Sequence, residues 1–220
     1  MHRKFFAALM MFAIMLVSSV ASATYEEEVQ EGADLTKVKK IAIAIPNYYK
    51  TLETEPELYD LMREIFNAGR LTSTREVASY DDVAAAIRRD TGVDLRALDA
   101  PEAEKAYKKY ISRYADSYLV VTIANNSKYP WLFFHLYNAT DSELLYSFSI
   151  QSRLIAKTAA DYGKSAEEYF KRLDSVTLMN LDKTERKAIE KRQKEVREKK
   201  RQLNKVNYTK KSKADLVKKK

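Results

Sequence analysis

The order of apolar and polar residues divides the first half of the chain into short strands and amphipathic helices. Residues 38–45 form a nearly continuous β-rich apolar run closed by Pro46, which predicts a strand covered on both faces. Apolar residues at helical spacing predict helices over residues 57–68, 81–91 and 102–114. Gly69 and Gly92 stand where the first two helices are expected to end. Residues 72–78 predict a weaker strand between them.

In the second half of the chain, apolar residues recur at every second position, which is the period of a β-strand. Residues 117–124, 131–137 and 143–151 predict three strands joined by short turns, which is an antiparallel meander. Residues 165–176 predict one more amphipathic helix. The element order β-α-β-α-α-β-β-β-α therefore predicts an α/β (α+β) domain. We expect a mixed sheet of about five strands, helices packed on the sheet, and a long basic carboxy-terminal helix.

The amino-terminal segment has the pattern of a secretory signal peptide. His2, Arg3 and Lys4 precede an apolar run over residues 5–17, and the small residues Ala21-Ser22-Ala23 follow. The run is shorter than the roughly 20 residues that a membrane span needs. We expect residues 1–23 to be removed after Ala23 and the protein to be exported to the periplasm or exterior of a bacterium. The alternative is an uncleaved amino-terminal membrane anchor.

Charge is divided unevenly along the chain. Residues 24–181 contain 20 basic and 25 acidic side chains, whereas residues 182–220 contain 17 basic and 6 acidic ones. This division predicts a flexible acidic leader over residues 24–36, an α/β domain over 37–181 and a basic helical tail over 182–220, disordered at its end. The tail's apolar residues Ile189, Val196 and Leu203 are too sparse for a firm coiled-coil seam. We therefore expect a solvated helix, with pairing to a partner helix as the alternative.

The lysine-rich end of the tail predicts anion binding. In an exported protein the expected anions are acidic lipid headgroups, lipopolysaccharide, wall polymers or an acidic partner. Nucleic-acid binding through the tail is an alternative that a cytosolic location would favour. The candidate anion-binding residues are Lys199, Lys200, Arg201, Lys210, Lys211, Lys213, Lys218, Lys219 and Lys220.

The residues that usually carry catalysis or hold cofactors are sparse. The chain has no cysteine and only four scattered glycines, which disfavours thiol chemistry, dinucleotide cofactors and P-loop nucleotides. His135, the one histidine after residue 23, lies mid-strand and is expected to pack on the sheet. Asp81-Asp82, Asp90 with Asp94 and Glu167-Glu168 are expected to be solvated helix charges. They leave a secreted carboxylate-dependent hydrolase acting on glycans as an alternative. We assign no catalytic, cofactor-binding or metal-binding residue, and we expect no cofactor.

Aromatic residues are concentrated in the predicted meander. Core packing is the favoured interpretation, and the alternative is an exposed ligand or protein face that includes Tyr129, Trp131 and Tyr137. Residues 131–151 contain neither lysine nor arginine, whereas single-stranded nucleic-acid platforms combine aromatic and basic side chains.

The element order after a signal peptide, opened by the strand Lys40-Ile41-Ala42-Ile43-Ala44-Ile45, resembles the α/β domain of the TolB amino-terminal region and the CsgG-like envelope proteins. The resemblance covers residues 37–176. CsgG proteins are lipoproteins, and this chain lacks the cysteine that lipid attachment requires. The resemblance implies a non-enzymatic envelope role such as binding another protein, and it assigns no functional residue.

Overall fold

A seven-stranded mixed sheet with helices on both faces forms the centre of the computed structural model, which describes residues 25–125, 129–151, 158–179 and 181–217. Beyond Lys200, only the side chain of Gln202 is described. The strands are β1 (Tyr25–Val29), β2 (Lys40–Ile43), β3 (Asn47–Tyr48), β4 (Glu76–Ala78), β5 (Ser117–Ala124), β6 (Trp131–Asn138) and β7 (Leu144–Gln151). The α-helices are α1 (Leu58–Thr72), α2 (Tyr80–Thr91), α3 (Ala100–Tyr110), α4 (Ala159–Val176) and α5 (Lys183–Val217).

The strand order is β1-β7-β6-β5-β2-β4, with β3 paired to β5 beyond the end of β2. The pairs among β2, β3, β4 and β5 are parallel, and the pairs from β5 through β6 and β7 to β1 are antiparallel. The predicted fold class is therefore confirmed, including the meander of β5, β6 and β7. The sheet has two strands more than expected, β1 and β3.

Strand β2 lies inside the sheet, as its continuous apolar sequence predicts. It pairs with β4 on one side and with β5 on the other. Ile41 and Ile43 point into one core and Ala42 into the other, and all three are at most 1% exposed. Parallel strands covered on both faces need this kind of sequence, because neither face meets water.

The first core lies between the sheet and the helices α1 and α4. Phe134 of β6 stacks on Tyr169 of α4 with ring centroids 4.8 Å apart, and both residues are completely buried. Gly69 lies inside α1, where an added Cβ would meet the Phe170 ring at 2.6 Å. The expected helix end at Gly69 is therefore wrong, because the glycine permits close helix packing and α1 continues to Thr72.

The second core lies on the opposite face, where α2 and α3 pack on β2 and β5. Tyr107 of α3 stacks against Tyr80 of α2 and meets Tyr118 of β5 edge to face. Helix α2 ends at Gly92 as predicted, with φ 75° at the glycine. Among the described residues, no helix is long and apolar enough to cross a bilayer.

Several element boundaries differ from the predicted ones. Residues 24–36 were expected to be a flexible leader, but Tyr25–Val29 pairs with β7 over five residues and Leu35 is 4% exposed. Helix α4 begins at Ala159, six residues before its predicted start, because Thr158 and Asp161 form a reciprocal capping box. The predicted basic tail helix is α5, which extends to Val217. Residues 1–23, the predicted signal peptide, lie outside the described residues.

We expect Gly69→Ala to destabilise the protein by about 1–3 kcal/mol, because the added methyl group overpacks the contact between α1 and Phe170. Equilibrium urea unfolding measures this loss. The exposed neighbour Arg70 provides the control, since Arg70→Ala in the same helical turn should change the unfolding free energy by less than about 0.5 kcal/mol. Equal effects of the two variants would contradict the packing role of Gly69.

Candidate functional site

A buried ion pair joins the strand β4 region to the end of α4. The guanidinium of Arg75 is 2.5 Å from the carboxylate of Asp174, and the side chains are 6% and 1% exposed. Arg75 also donates to the carbonyl oxygens of Leu35 and Val38 and to the hydroxyl of Thr177. The carboxylate is satisfied in turn, since it accepts hydrogen bonds from the backbone and hydroxyl of Thr74. Burial lowers the pKa of Arg75, and the neighbouring Asp174 carboxylate opposes this shift.

The first half of α5 packs against this ion pair. Gln193 is 7% exposed and donates from Nε2 to the backbone oxygen of Asp174. The amine of Lys200 donates to the backbone oxygens of Ser73 and Arg75, and Arg197 lies 3.6 Å from the Asp174 carboxylate. Two cationic side chains of the tail, Arg197 and Lys200, therefore lie near a buried acidic residue of the domain.

The contacting residues of α5 form one stripe on the helix. Ile189 and Val196 line a cavity of about 110 Å³ against the domain, and Gln193 and Lys200 complete the stripe at spacings of four, three and four. The expectation of a solvated helix is therefore wrong for this stripe, whereas the other residues between 189 and 200 are exposed. The apolar pattern of the sequence did not predict this docking, because half of the stripe is polar and bonds to backbone carbonyls.

The predicted anion-binding residues fall into three groups. Lys199 is exposed, whereas Lys200 binds backbone oxygens and burial lowers its pKa. Arg201, Lys210, Lys211 and Lys213 lie on the part of α5 that continues for 17 residues, or about 25 Å, past Lys200. Lys218, Lys219 and Lys220 lie outside the described residues. We call residues 201–220 the distal tail.

The predicted aromatic ligand face is divided by the structure. Trp131 lies nearly parallel to Phe133, with an interplanar angle of 19° and ring centroids 6.2 Å apart. Tyr137 instead stacks on Tyr118 at 5.3 Å and packs against the second core. Tyr129 is half-buried in the preceding turn. The structure thus pairs Trp131 with Phe133 and separates it from Tyr137.

Trp131 and Phe133 belong to a part of the sheet that neither core cluster includes. The alternation of side chains places three columns of residues on this side of β6, β7 and β1. We call this surface the open sheet face. It consists of Trp131, Phe133 and His135 on β6, Ser147, Ser149 and Gln151 on β7, and Glu26 and Glu28 on β1.

His135 lies on the open sheet face, opposite Ser147 of β7 and Val120 of β5. Its ring is 6.3 Å from that of Tyr137, and burial lowers its pKa. Within the described ranges, no group of three or more His, Cys, Asp or Glu residues is placed to hold a metal ion.

The carboxylate pairs considered for catalysis are engaged in structural contacts. Asp81 is paired with Arg96 at 2.6 Å, and Asp90 is paired with Arg89 at 2.8 Å. The remaining acidic residues of the pairs cap a helix, accept a hydrogen bond from a helix-capping residue or bind a nearby basic residue, namely Asp82, Asp94, Glu167 and Glu168. These contacts are those of helix ends and surface ion pairs.

An exposed apolar loop was not predicted as a functional surface. Five of the seven large apolar residues exposed in the described structure lie between residues 45 and 59, namely Ile45, Tyr49, Leu52, Leu58 and Tyr59. The segment has no regular apolar period, so its sequence gave no signal beyond Pro46 and Pro56 at its borders. We call residues 45–59 the apolar loop.

The apolar loop is held in shape from within by a buried carboxylate. Glu55 is 3% exposed and accepts hydrogen bonds from the backbone nitrogens of Thr51 and Leu52 and from the side chain of Asn125. Tyr48 donates its hydroxyl to the backbone oxygen of Pro56. The loop therefore presents its apolar side chains on a fixed backbone, which lowers the entropy cost of a contact.

Comparison with known proteins yields similarity of fold alone. No protein-family model and no curated protein sequence matches the chain. PelC from Paraburkholderia phytofirmans, solved as a dodecamer, is 13% identical with a TM-score of 0.41 and covers 69% of this chain and 97% of its own. The LpoB C-terminal domain from Escherichia coli is 12% identical with a TM-score of 0.40, over 56% and 97%.

A TolB protein, the kind of envelope protein expected from the element order, is also among the similar structures. The protein from Acinetobacter baumannii is 11% identical with a TM-score of 0.35 and covers 68% of this chain and 31% of its own. At these TM-scores the similarity assigns no function, which has to be argued from the residues of this chain.

Removing the charge of Asp174 should be strongly destabilising. We expect Asp174→Asn to cost about 3–5 kcal/mol in urea unfolding, because it leaves the buried guanidinium of Arg75 without its counter-ion. Asp60→Asn removes an exposed partner of Arg63 and should cost less than about 1 kcal/mol. A similar small cost for both variants would show that the buried pair contributes little to stability.

His135 should make stability depend on pH. Its pKa is lowered in the folded state, so the unfolded chain binds a proton first as the pH falls through about 6.5, and folding is disfavoured below that value. His135→Gln should therefore lose less stability than the wild type between about pH 7.5 and about pH 5.5. Ser147→Ala, opposite His135, keeps the histidine and should retain the wild-type loss. Identical pH dependence of the wild type and His135→Gln would contradict this role.

Proposed function

We propose that the protein is an exported, non-catalytic interaction module of the cell envelope, held to anionic surfaces by its distal tail. The observation that carries this proposal is the division of charge, with an acidic excess before residue 182 and a large basic excess after it. Docking of residues 189–200 gives the cationic helix a fixed starting point on the domain.

Electrostatic attachment fits the composition of the distal tail. Lysines near an anionic surface contribute about 1 kcal/mol each, and the attraction weakens as salt is added. The distal tail contains four large aliphatic residues, Leu203, Val206, Leu216 and Val217, against eight lysines and arginines. The helix therefore lacks the broad apolar face of an inserted interfacial helix, and we expect attachment without insertion.

The domain would then be free to contact a protein partner. Large, exposed apolar side chains on a fixed backbone are typical of protein-binding surfaces, and the apolar loop has both features. The loop and the first half of α1 also carry acidic residues such as Glu53, Glu57 and Asp60, which disfavour contact with an anionic membrane. We therefore assign the loop to a protein contact and the distal tail to the surface.

The distal tail is tested with vesicles that contain anionic phospholipid. We expect neutralising six lysines to glutamine (Lys210, Lys211, Lys213, Lys218, Lys219 and Lys220) to weaken sedimentation with these vesicles by at least about 100-fold at low salt. Wild-type binding should fall as the sodium chloride concentration rises. Truncation at residue 181 is unsuitable, because it would remove Gln193 and Lys200 from their buried contacts.

The matched control neutralises six exposed lysines of the domain instead, namely Lys37, Lys39, Lys105, Lys109, Lys164 and Lys171. This variant has the same net charge as the tail variant and should bind the vesicles nearly as well as the wild type. Equal weakening by both variants would show that total charge matters and that the distal tail has no special role.

A further inference from the structure

Trp131 and Phe133 form an apolar platform on the open sheet face. Both rings are half-buried, lie nearly parallel at 6.2 Å and belong to neither core. Aromatic side chains of a stable domain normally contribute to its core, as Phe134 and Phe148 on the opposite side of the same strands do. Among the described residues, these two neighbouring rings lie outside both cores and remain partly exposed.

Hydrogen-bonding side chains border the platform. Gln151 lies opposite Trp131 and Ser149 lies opposite Phe133, one strand spacing of about 4.8 Å away. Glu26 continues the row on β1 and is exposed. These side chains provide hydroxyl, amide and carboxylate oxygens as acceptors, and hydroxyl and amide groups as donors.

Among the described residues that form the open sheet face, the charges are unfavourable for phosphate-bearing ligands. Residues 129–151, which contain β6 and β7, include neither lysine nor arginine. The charged residues of the open sheet face are the glutamates Glu26 and Glu28. Nucleic acids and anionic lipids carry phosphates that need cationic partners, so this surface does not fit them.

We propose that the open sheet face binds a neutral saccharide chain along β6. The C–H groups on one face of a pyranose ring are attracted to the negative face of an aromatic ring, and the platform provides two such rings in succession. Hydroxyl groups at the ring edge match the oxygen and nitrogen atoms of Gln151, Ser149 and Glu26. This site shares no residue with the distal tail or with the apolar loop, and thus goes beyond the function proposed above.

The site is built for binding and not for hydrolysis. Glycoside hydrolysis requires two carboxyl groups that flank the scissile bond. Glu26 and Glu28 are adjacent in one column of the edge strand β1, and both are exposed. They therefore lie on one side of any chain that follows β6.

The only tryptophan of the chain lies in the site, so its fluorescence reports binding there directly. We expect cellotetraose or chitotetraose, titrated into the purified protein up to about 10 mM, to produce a saturable change in Trp131 emission. Phe133→Ala and Gln151→Ala, on different strands, should each weaken binding about tenfold. Tyr59→Ala removes an exposed aromatic residue outside the site and should leave binding unchanged. Thermal unfolding of each variant verifies that the fold is retained.

Several results would overturn the proposal. Emission unchanged by both saccharides, or equal affinity in the wild type and both site variants, would exclude the site. Emission that depends on protein concentration without saccharide would show that a second copy covers the face. A saturable response to a single-stranded oligonucleotide would indicate base stacking. The variant with six tail lysines neutralised should bind saccharide normally, so a failure of the vesicle experiment is distinguishable from a failure here.

Discussion

The buried pair of Arg75 and Asp174 holds together segments that are distant in the sequence. Through its guanidinium, Arg75 fixes the loop before β2, the start of β4 and the end of α4. Asp174 adds the contact with α5 through its backbone oxygen and its carboxylate. A buried charge is costly unless its hydrogen bonds are satisfied, so each of these segments has to be in place for the pair to be tolerated.

The placement of the cationic helix follows from this constraint. Lys200 and Gln193 satisfy backbone oxygens around the ion pair, so the first half of α5 belongs structurally to the domain. The excess of basic residues begins near residue 182, whereas the docked stripe of α5 ends at Lys200. The change in charge therefore lies about 20 residues before the point at which the helix leaves the domain. The distal tail starts at an anchored point, which restricts the region that its lysines reach.

Apolar periodicity predicted the elements that are stabilised by ordinary core packing. The spacing of apolar residues and the glycine, proline and turn residues at element ends predicted three features. These are the strand around Ile41, the meander of β5 to β7 and the helix ending at Gly92. Strand β1 was not predicted, because glutamate, which occupies residues 26–28, is disfavoured in strands and β1 depends on pairing with β7. Gly69 was misinterpreted because its role is a tertiary contact with Phe170.

The candidate sites show the same division between local and tertiary information. The lysine-rich end was evident from composition, and Trp131 was singled out from aromatic density. The sequence did not show that Trp131 and Tyr137 have different surroundings. Tyr137 packs against the second core, because Tyr118 and the helix α3 cover the carboxy-terminal end of β6. The loop held by Glu55 depends on Asn125, which is 70 residues away in the sequence.

Hydrogen–deuterium exchange along α5, with and without vesicles of anionic phospholipid, tests most directly whether this helix is docked in its first half and surface-binding in its second. We expect slow exchange at residues 189–200 in both conditions, because these residues pack on the ion pair. Residues 203–217 should exchange fast in solution, as an unpacked helix does, and become protected when vesicles are added. Uniformly fast exchange along α5, or protection of residues 203–217 that does not change with vesicles, would contradict this division.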